Sequence, residues 1–119
     1  MHESGEMYLE TIHVLSQKGS DVRSIDIATH MNFSKPSVSR AMGVLKKDGY
    51  IEIDEHGHIK LTATGLKVAE NIYERHNVLS KLLMEIGVSE DTAIQDACKI
   101  EHDISEETFE AIKRHMKLV

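Results

Sequence analysis

Cysteine is almost missing from this chain of 119 residues, where Cys98 stands alone. A single thiol excludes an internal disulfide, and with it the class of small secreted domains framed by disulfides. Proline is equally scarce, with Pro36 the only one. No apolar run approaches the ~18–20 residues that span a bilayer, and the opening MHESGEMYLE lacks the apolar stretch of a signal peptide. Internal repeats, low-complexity tracts and long linkers are absent too. These absences point to a reducing cytoplasm, to no membrane among the partners, and to one domain or two small subdomains sharing a core.

Positive charge is also in short supply. The 14 Lys and Arg are outnumbered by 20 Asp and Glu, a net charge of −6, which excludes an indiscriminate nucleic-acid binder. The distribution says more than the total. Residues 35–47, KPSVSRAMGVLKK, hold Lys35, Arg40, Lys46 and Lys47 and no acid, whereas residues 85–110 are rich in Glu and Asp around Cys98. An anionic partner suits the first segment and a cation the second.

What is present is periodicity. GEMYLETIHVLSQK (5–18) puts Met7, Leu9, Ile12, Val14 and Leu15 on an amphipathic helix with Ser4 as its N-cap. KGSD (18–21) breaks it, SIDIATHM (24–31) is a short helix, and NFS (32–34) is a tight turn. Ser34 or Lys35 caps the next helix, with Pro36 in the first turn, where its missing N–H costs nothing. Val38, Met42 and Leu45 form its inner stripe, and it ends before Gly49. Tyr50, Ile51, Ile53, Ile59 and Leu61 then alternate around DEHGH (54–58), the pattern of a two-stranded hairpin. A long helix over 62–86, a helix capped by Ser89 over about 90–103, and a last helix opening at Ser105 complete the chain.

That order predicts a mostly α protein. A winged helix-turn-helix DNA-binding domain over 1–70 is followed by a helical metal-binding and dimerisation domain over 71–119. In the reading helix, Ser34, Ser37 and Ser39 are short hydrogen-bonding groups, Pro36 is an apolar face for a thymine methyl, and Arg40 suits a guanine edge. Lys46 and Lys47 suit the phosphate backbone, Lys35 is a further DNA-binding candidate, and His56 and His58 at the hairpin tip could approach phosphates from the wing. So few base contacts call for a homodimer on palindromic double-stranded DNA, with half-sites about one helical turn apart.

The stretch DACKIEHDIS (96–105) gathers three metal donors. Helical offsets of three and four place Glu101 and His102 on the face of Cys98. Met7 and Glu10 on the first helix and His76 on the long helix supply further donors. Taken singly, each has an ordinary structural role: Met7 as core, Cys98 as a small hydrophobe, the carboxylates as solvated groups, His76 as a buried hydrogen-bonded ring. Cys98 beside His102 also admits a nucleophile with its base, although no triad partner or oxyanion loop accompanies it.

Taken together, GEMYLETIHVL, SKPSVSRAMGVLKKDGYIE, IKLTATG, ERHNVLSKLL and DACKIEHDIS resemble the diphtheria-toxin-repressor/manganese-transport-regulator family of metal-activated repressors, in the right order over residues 4–116. The resemblance implies a homodimeric repressor of metal-uptake genes with a divalent metal as corepressor. Met7, Cys98, Glu101 and His102 match the iron-type primary site, and Glu10 and His76 match ligands of the manganese-type site. Glu10, His76 and Cys98 are the candidate makers of a second metal position. The chain departs from the iron type at Ser80 and Ile94, and from the manganese type at Met7 and Cys98, where that branch uses carboxylates. The SH3-like domain of many iron-type members is not expected. Thioether and thiolate donors favour Fe²⁺ over Mn²⁺. Mn²⁺ and a structural Zn²⁺ are the alternatives, and Co²⁺, Ni²⁺ and Zn²⁺ are expected to substitute in vitro. A thiolate ligand would also make Cys98 open to oxidation.

Overall fold

A computed structural model describes residues 3–117. The elements run α1 (Glu3–Ser16), α2 (Ser24–Met31), α3 (Lys35–Lys47), β1 (Ile51–Ile53), β2 (Ile59–Leu61), α4 (Ala63–Glu85), α5 (Glu90–Ile100) and α6 (Glu106–His115). They fall into two compact units, Met1–Glu70 and Asn71–Val119.

In the N-terminal unit the apolar stripes of the three helices meet the inner face of the hairpin. Leu9, Ile12, Ile27 and Val38 are fully buried, with Met42, Ile51 and Ile59 beside them. Local chemistry fixes the turns between them. Asn32 closes α2 in the left-handed conformation (φ 57°), which Asn tolerates better than most residues, and the Phe33 amide donates to the Ala28 carbonyl at 3.0 Å. Two residues later Ser34 opens α3, its Oγ accepting from the Ser37 amide at 3.3 Å. The α2–turn–α3 geometry therefore follows from three consecutive residues, Asn32, Phe33 and Ser34.

The hairpin pairs Ile51 with Leu61, Glu52 with Lys60 and Ile53 with Ile59. At its tip the Asp54 carboxylate accepts from the His56 and His58 amides at 2.8 and 2.9 Å, adding to the backbone bonds from the Asp54 amide to the His58 carbonyl and from the Gly57 amide to the Asp54 carbonyl, both 3.0 Å. The hydrogen bond from the His58 amide, with that from the His56 amide and the charge of both rings, holds the Asp54 carboxyl below its ordinary value of 3.8 against an opposing effect of desolvation. Beyond the predicted two strands, Val22 forms a bridge to Ile59, whose amide donates to the Val22 carbonyl at 2.7 Å. Thr62 then joins wing to helix: its hydroxyl donates to the Gly49 carbonyl (2.7 Å) and accepts from the Gly65 amide (3.1 Å). Gly65 is required there, because a Cβ would lie 2.0 Å from the Tyr50 carbonyl oxygen.

Three helix ends differ from the sequence reading. Ser4 lies inside α1 instead of capping it. The same helix stops at Ser16, whose hydroxyl donates to the Ile12 carbonyl at 2.7 Å, and Lys18 belongs to the following turn. The fifth helix ends at Ile100, and residues 101–103 form a tighter turn in which the Asp103 amide donates to the Ile100 carbonyl at 2.9 Å.

In the C-terminal unit Ile72, Val78 and Leu79 of α4, Ala93 and Ala97 of α5 and Phe109 of α6 are buried, Phe109 being the largest of the fully buried side chains. Gly87 (φ 106°) terminates α4, and Ser105 caps α6 by accepting from the Thr108 amide at 3.1 Å. No described helix is long and apolar enough to cross a membrane.

Candidate metal centre and reading helix

Three of the expected donors converge in the C-terminal unit. One ligand atom each from His76, Cys98 and Glu101 lies within 4.8 Å of the other two. His76 Nδ1 is 2.9 Å from Glu101 Oε2 and 3.7 Å from Cys98 Sγ. Donors bound to one ion at ~2.0–2.3 Å stand about 3–4 Å apart, so these separations need little movement to accept a cation. His76 comes from the middle of α4, Cys98 from the last turn of α5, and Glu101 from the residue that caps it.

Glu101 is the unusual member. Its side chain is 1% exposed, and a buried carboxylate is unfavourable unless positive charge or hydrogen bonds compensate it. Both oxygens have imidazole neighbours: His76 at Oε2 and His102, with Nε2 3.4 Å away, at Oε1. The His102 ring is as buried as the carboxylate. Cys98, by contrast, is exposed. Because α5 ends at Ile100, Glu101 is brought to Cys98 through the helical conformation of the capping residue (φ −57°, ψ −26°), not through a continuing helix, and His102 is not among the three donors that converge at Cys98.

Met7 and Glu10 stand on α1 of the N-terminal unit, Met7 exposed and Glu10 half-buried, with the Met7 carbonyl accepting from the Thr11 hydroxyl at 2.9 Å. Ser80 and Ile94, at the positions that depart from the iron type, are a buried serine and an exposed isoleucine.

The reading helix α3 buries Val38, Met42 and Leu45 and turns its charged side outward. Ser34, Lys35, Pro36, Ser39, Arg40, Lys46 and Lys47 are exposed, and Ser37 is half-buried. Ser34 and Ser37 are engaged with each other, the Ser34 hydroxyl donating to Ser37 Oγ at 2.8 Å. On the wing, His58 Nε2 lies 3.2 Å from an Arg23 guanidinium nitrogen, and His58 Nδ1 lies 3.3 Å from Asp54 Oδ2 and 3.7 Å from Asp21 Oδ2.

Sequence reasoning passed over Arg75. Its Nη1 donates to the carbonyls of Glu101 (3.3 Å) and Ile104 (2.9 Å), and Nη2 to Glu106 Oε2 (2.9 Å). Arg75 and Lys113 lie over the Phe109 ring, at 5.3 and 5.0 Å from its centroid. Lys113 also pairs with Glu74 at 2.7 Å and with Glu110 at 3.2 Å, and the Glu74 contact is the main reason its ammonium titrates above the ordinary value. The available signal was adjacency, since Arg75 directly precedes His76.

Comparison with known proteins places these features in context. Residues 1–59 match the profile described as iron dependent repressor, N-terminal DNA binding domain. Residues 62–118 match iron dependent repressor, metal binding and dimerisation domain. The transcriptional regulator MntR of Escherichia coli is 35% identical over 106 residues, 89% of this chain and 68% of that protein. An uncharacterised HTH-type transcriptional regulator of Methanocaldococcus jannaschii is 30% identical over 119 residues, 98% of this chain and 95% of its own. Among solved structures, the manganese regulator SloR superposes with a TM-score of 0.84 at 25% identity, over 95% of this chain and 53% of that one. The chain therefore spans about half the length of that solved structure.

Proposed function

The chain belongs to the iron-dependent repressor family, and from that premise we propose that it is a homodimeric, metal-activated transcriptional repressor. It acts in the cytoplasm on a palindromic operator in double-stranded DNA and controls metal-uptake genes. A family of transcriptional regulators leaves no role for Cys98 as an enzymatic nucleophile. The observation that carries the proposal is the convergence of His76, Cys98 and Glu101, with the carboxylate buried.

The donor set fits a divalent first-row metal, since it combines imidazole nitrogen, thiolate sulfur and carboxylate oxygen. We assign His76, Cys98, Glu101 and His102 as ligands from the C-terminal unit and Met7 and Glu10 as ligands from α1. Glu10, His76 and Cys98 are the makers of any second position. Fe²⁺ is the preferred ion because sulfur donors suit it better than Mn²⁺. The manganese reading is kept because SloR is described as a manganese regulator. When bound, the ion supplies positive charge to a buried carboxylate and a fixed link among the elements that carry its ligands.

The chain's own residues would do the rest: Cys98 would bind through sulfur, His76 through a ring nitrogen and Glu101 through a carboxylate oxygen. On α3, Arg40 reads a base edge, Pro36 and the serines at 34, 37 and 39 contact base or phosphate, and Lys35, Lys46 and Lys47 hold the backbone. A preference of ~1–3 kcal/mol for the DNA-competent arrangement gives a useful switch.

The test is anaerobic operator binding, titrated with Fe²⁺ and then Mn²⁺ at buffered free concentrations. Activation at low free Fe²⁺, with far more Mn²⁺ required, supports the iron reading. Equal response to Mn²⁺ at its cellular level moves the chain to manganese, and indifference to both removes the switch. Unfolding of the helical half on chelation would instead mark a structural Zn²⁺.

A further inference from the structure

From the contacts of one buried guanidinium we infer that Arg75 is the positioning residue of the metal centre, holding the turn that carries Glu101 and His102 in register with His76. The inference rests on the ligand assignment proposed above. Its basis is a division of labour on three consecutive residues of α4. Glu74 pairs with Lys113, His76 meets Glu101 Oε2, and between them Arg75 reaches the backbone carbonyls of Glu101 and Ile104.

The turn needs such a clamp. Once α5 ends at Ile100, the carbonyls of Glu101 and Ile104 are outside the helical ladder. Arg75 Nη1 takes both of them, at 3.3 and 2.9 Å. Nη2 of the same planar group takes Glu106 Oε2 in the first turn of α6, at 2.9 Å. One rigid fork thus fixes the carbonyl of a proposed ligand, the far end of its turn and the start of the next helix. The Phe109 ring beneath, 5.3 Å from the guanidinium carbon, keeps the fork in plane. Because Arg75 precedes His76 in the chain, the backbone that orients the imidazole also orients the clamp. The side chain of Arg75 is 11% exposed; its two carbonyl bonds are partly shielded from water, while the Glu106 end lies at the surface.

The experiment is a Co²⁺ titration of the reduced, full-length chain, read by the thiolate-to-cobalt charge-transfer band and the ligand-field bands. The wild-type chain should show both. Arg75→Met, which keeps an apolar stem over Phe109, should bind Co²⁺ about 10–100-fold more weakly and with an altered ligand-field spectrum, the range typical for residues that orient ligands. Its far-UV circular dichroism should stay helical. Arg75→Lys restores charge but not the fork, and should recover only part of the affinity. Lys113→Met removes the other cation on Phe109 without touching the turn, and should stay within about twofold of wild type, since it disturbs no group that orients a ligand.

Unchanged affinity and spectrum in Arg75→Met overturn the inference, as does an equal loss in Lys113→Met, which would make the effect one of packing. Should Arg75→Met fail to fold, Arg75→Lys carries the comparison: full wild-type affinity in it overturns the role of the fork. A wild-type chain without a thiolate band overturns the ligand assignment itself, a result distinct from an Arg75 variant that merely matches wild type.

Discussion

Replacing Glu101 by glutamine separates the two things a buried carboxylate can be, a structural ion-pair member or a ligand in waiting. The side chain is 1% exposed, with His76 Nδ1 at 2.9 Å and His102 Nε2 at 3.4 Å. Glutamine keeps the shape, offers its carbonyl oxygen to His76, and turns an N–H toward the His102 ring. The exchange of a charge-assisted hydrogen bond for a neutral one loses about 1 kcal/mol. Relief of the burial penalty on an ionised group acts in the opposite direction and is of similar size. Metal-free Glu101→Gln should therefore differ from wild type by less than about 1 kcal/mol in urea unfolding.

The metal-bound comparison should look different. A ligand at a hundred times its Kd stabilises the native state by about 2.7 kcal/mol, roughly a 10 °C rise in Tm for a chain of this size. Wild-type protein should show a rise of that order with Co²⁺ or anaerobic Fe²⁺, and Glu101→Gln should lose nearly all of it. Differential scanning calorimetry with and without metal reads both quantities on one sample. A metal-free variant destabilised by more than about 3 kcal/mol would show a structural ion pair, since that is the scale of breaking one. A variant retaining the full metal-induced rise would refute Glu101 as a ligand.

Other outcomes follow from the same geometry. Cys98→Ala combined with Glu101→Ala should leave a folded dimer that no longer gains operator affinity with metal in a gel-shift titration; retained metal dependence would falsify the ligand set. Phe109→Ala removes the largest fully buried side chain and the ring under two cations, so urea unfolding should show a loss of about 3–5 kcal/mol. Gly65→Ala brings a methyl to 2.0 Å from the Tyr50 carbonyl oxygen and should lower stability by about 2 kcal/mol or more, seen as a lower urea midpoint. The Asp54 carboxyl titrates below its ordinary 3.8, so its contribution is present above that value and is lost as pH falls through the lower folded value. Carboxyl NMR should place its midpoint under 3.8, and Asp54→Ala should speed exchange of the His56 and His58 amides.

Much of this arrangement was legible in the sequence because its signals are local. Asn32, Ser34, Pro36 and Gly49 punctuate the helices through their own backbone and side-chain preferences, and Ile51, Ile53, Ile59 and Leu61 announce the hairpin by alternation. Cys98, Glu101 and His102 were visible as a cluster since their spacing is short, and His76 stood out as a donor on the long helix. The parts that were missed depend on partners distant in sequence. Val22 joins the wing only because Ile59, 37 positions later, has an amide to offer it. The end of α5 at Ile100 goes with the guanidinium of Arg75, which takes the carbonyls that follow. Arg75 itself reads as one more exposed cation on an amphipathic helix until α6 is packed against it.

The contrast between an exposed Cys98 and a buried Glu101 bears on how such a sensor can change over evolutionary time. A solvent-facing residue can be exchanged with little effect on folding, typically within about 0.5 kcal/mol. If Cys98 is a ligand as proposed, exchanging that one residue for a carboxylate would shift the preferred metal while the scaffold around Glu101 stays intact. Metal preference would then be a trait that drifts separately from stability, open to selection whenever the scarce nutrient in a habitat changes.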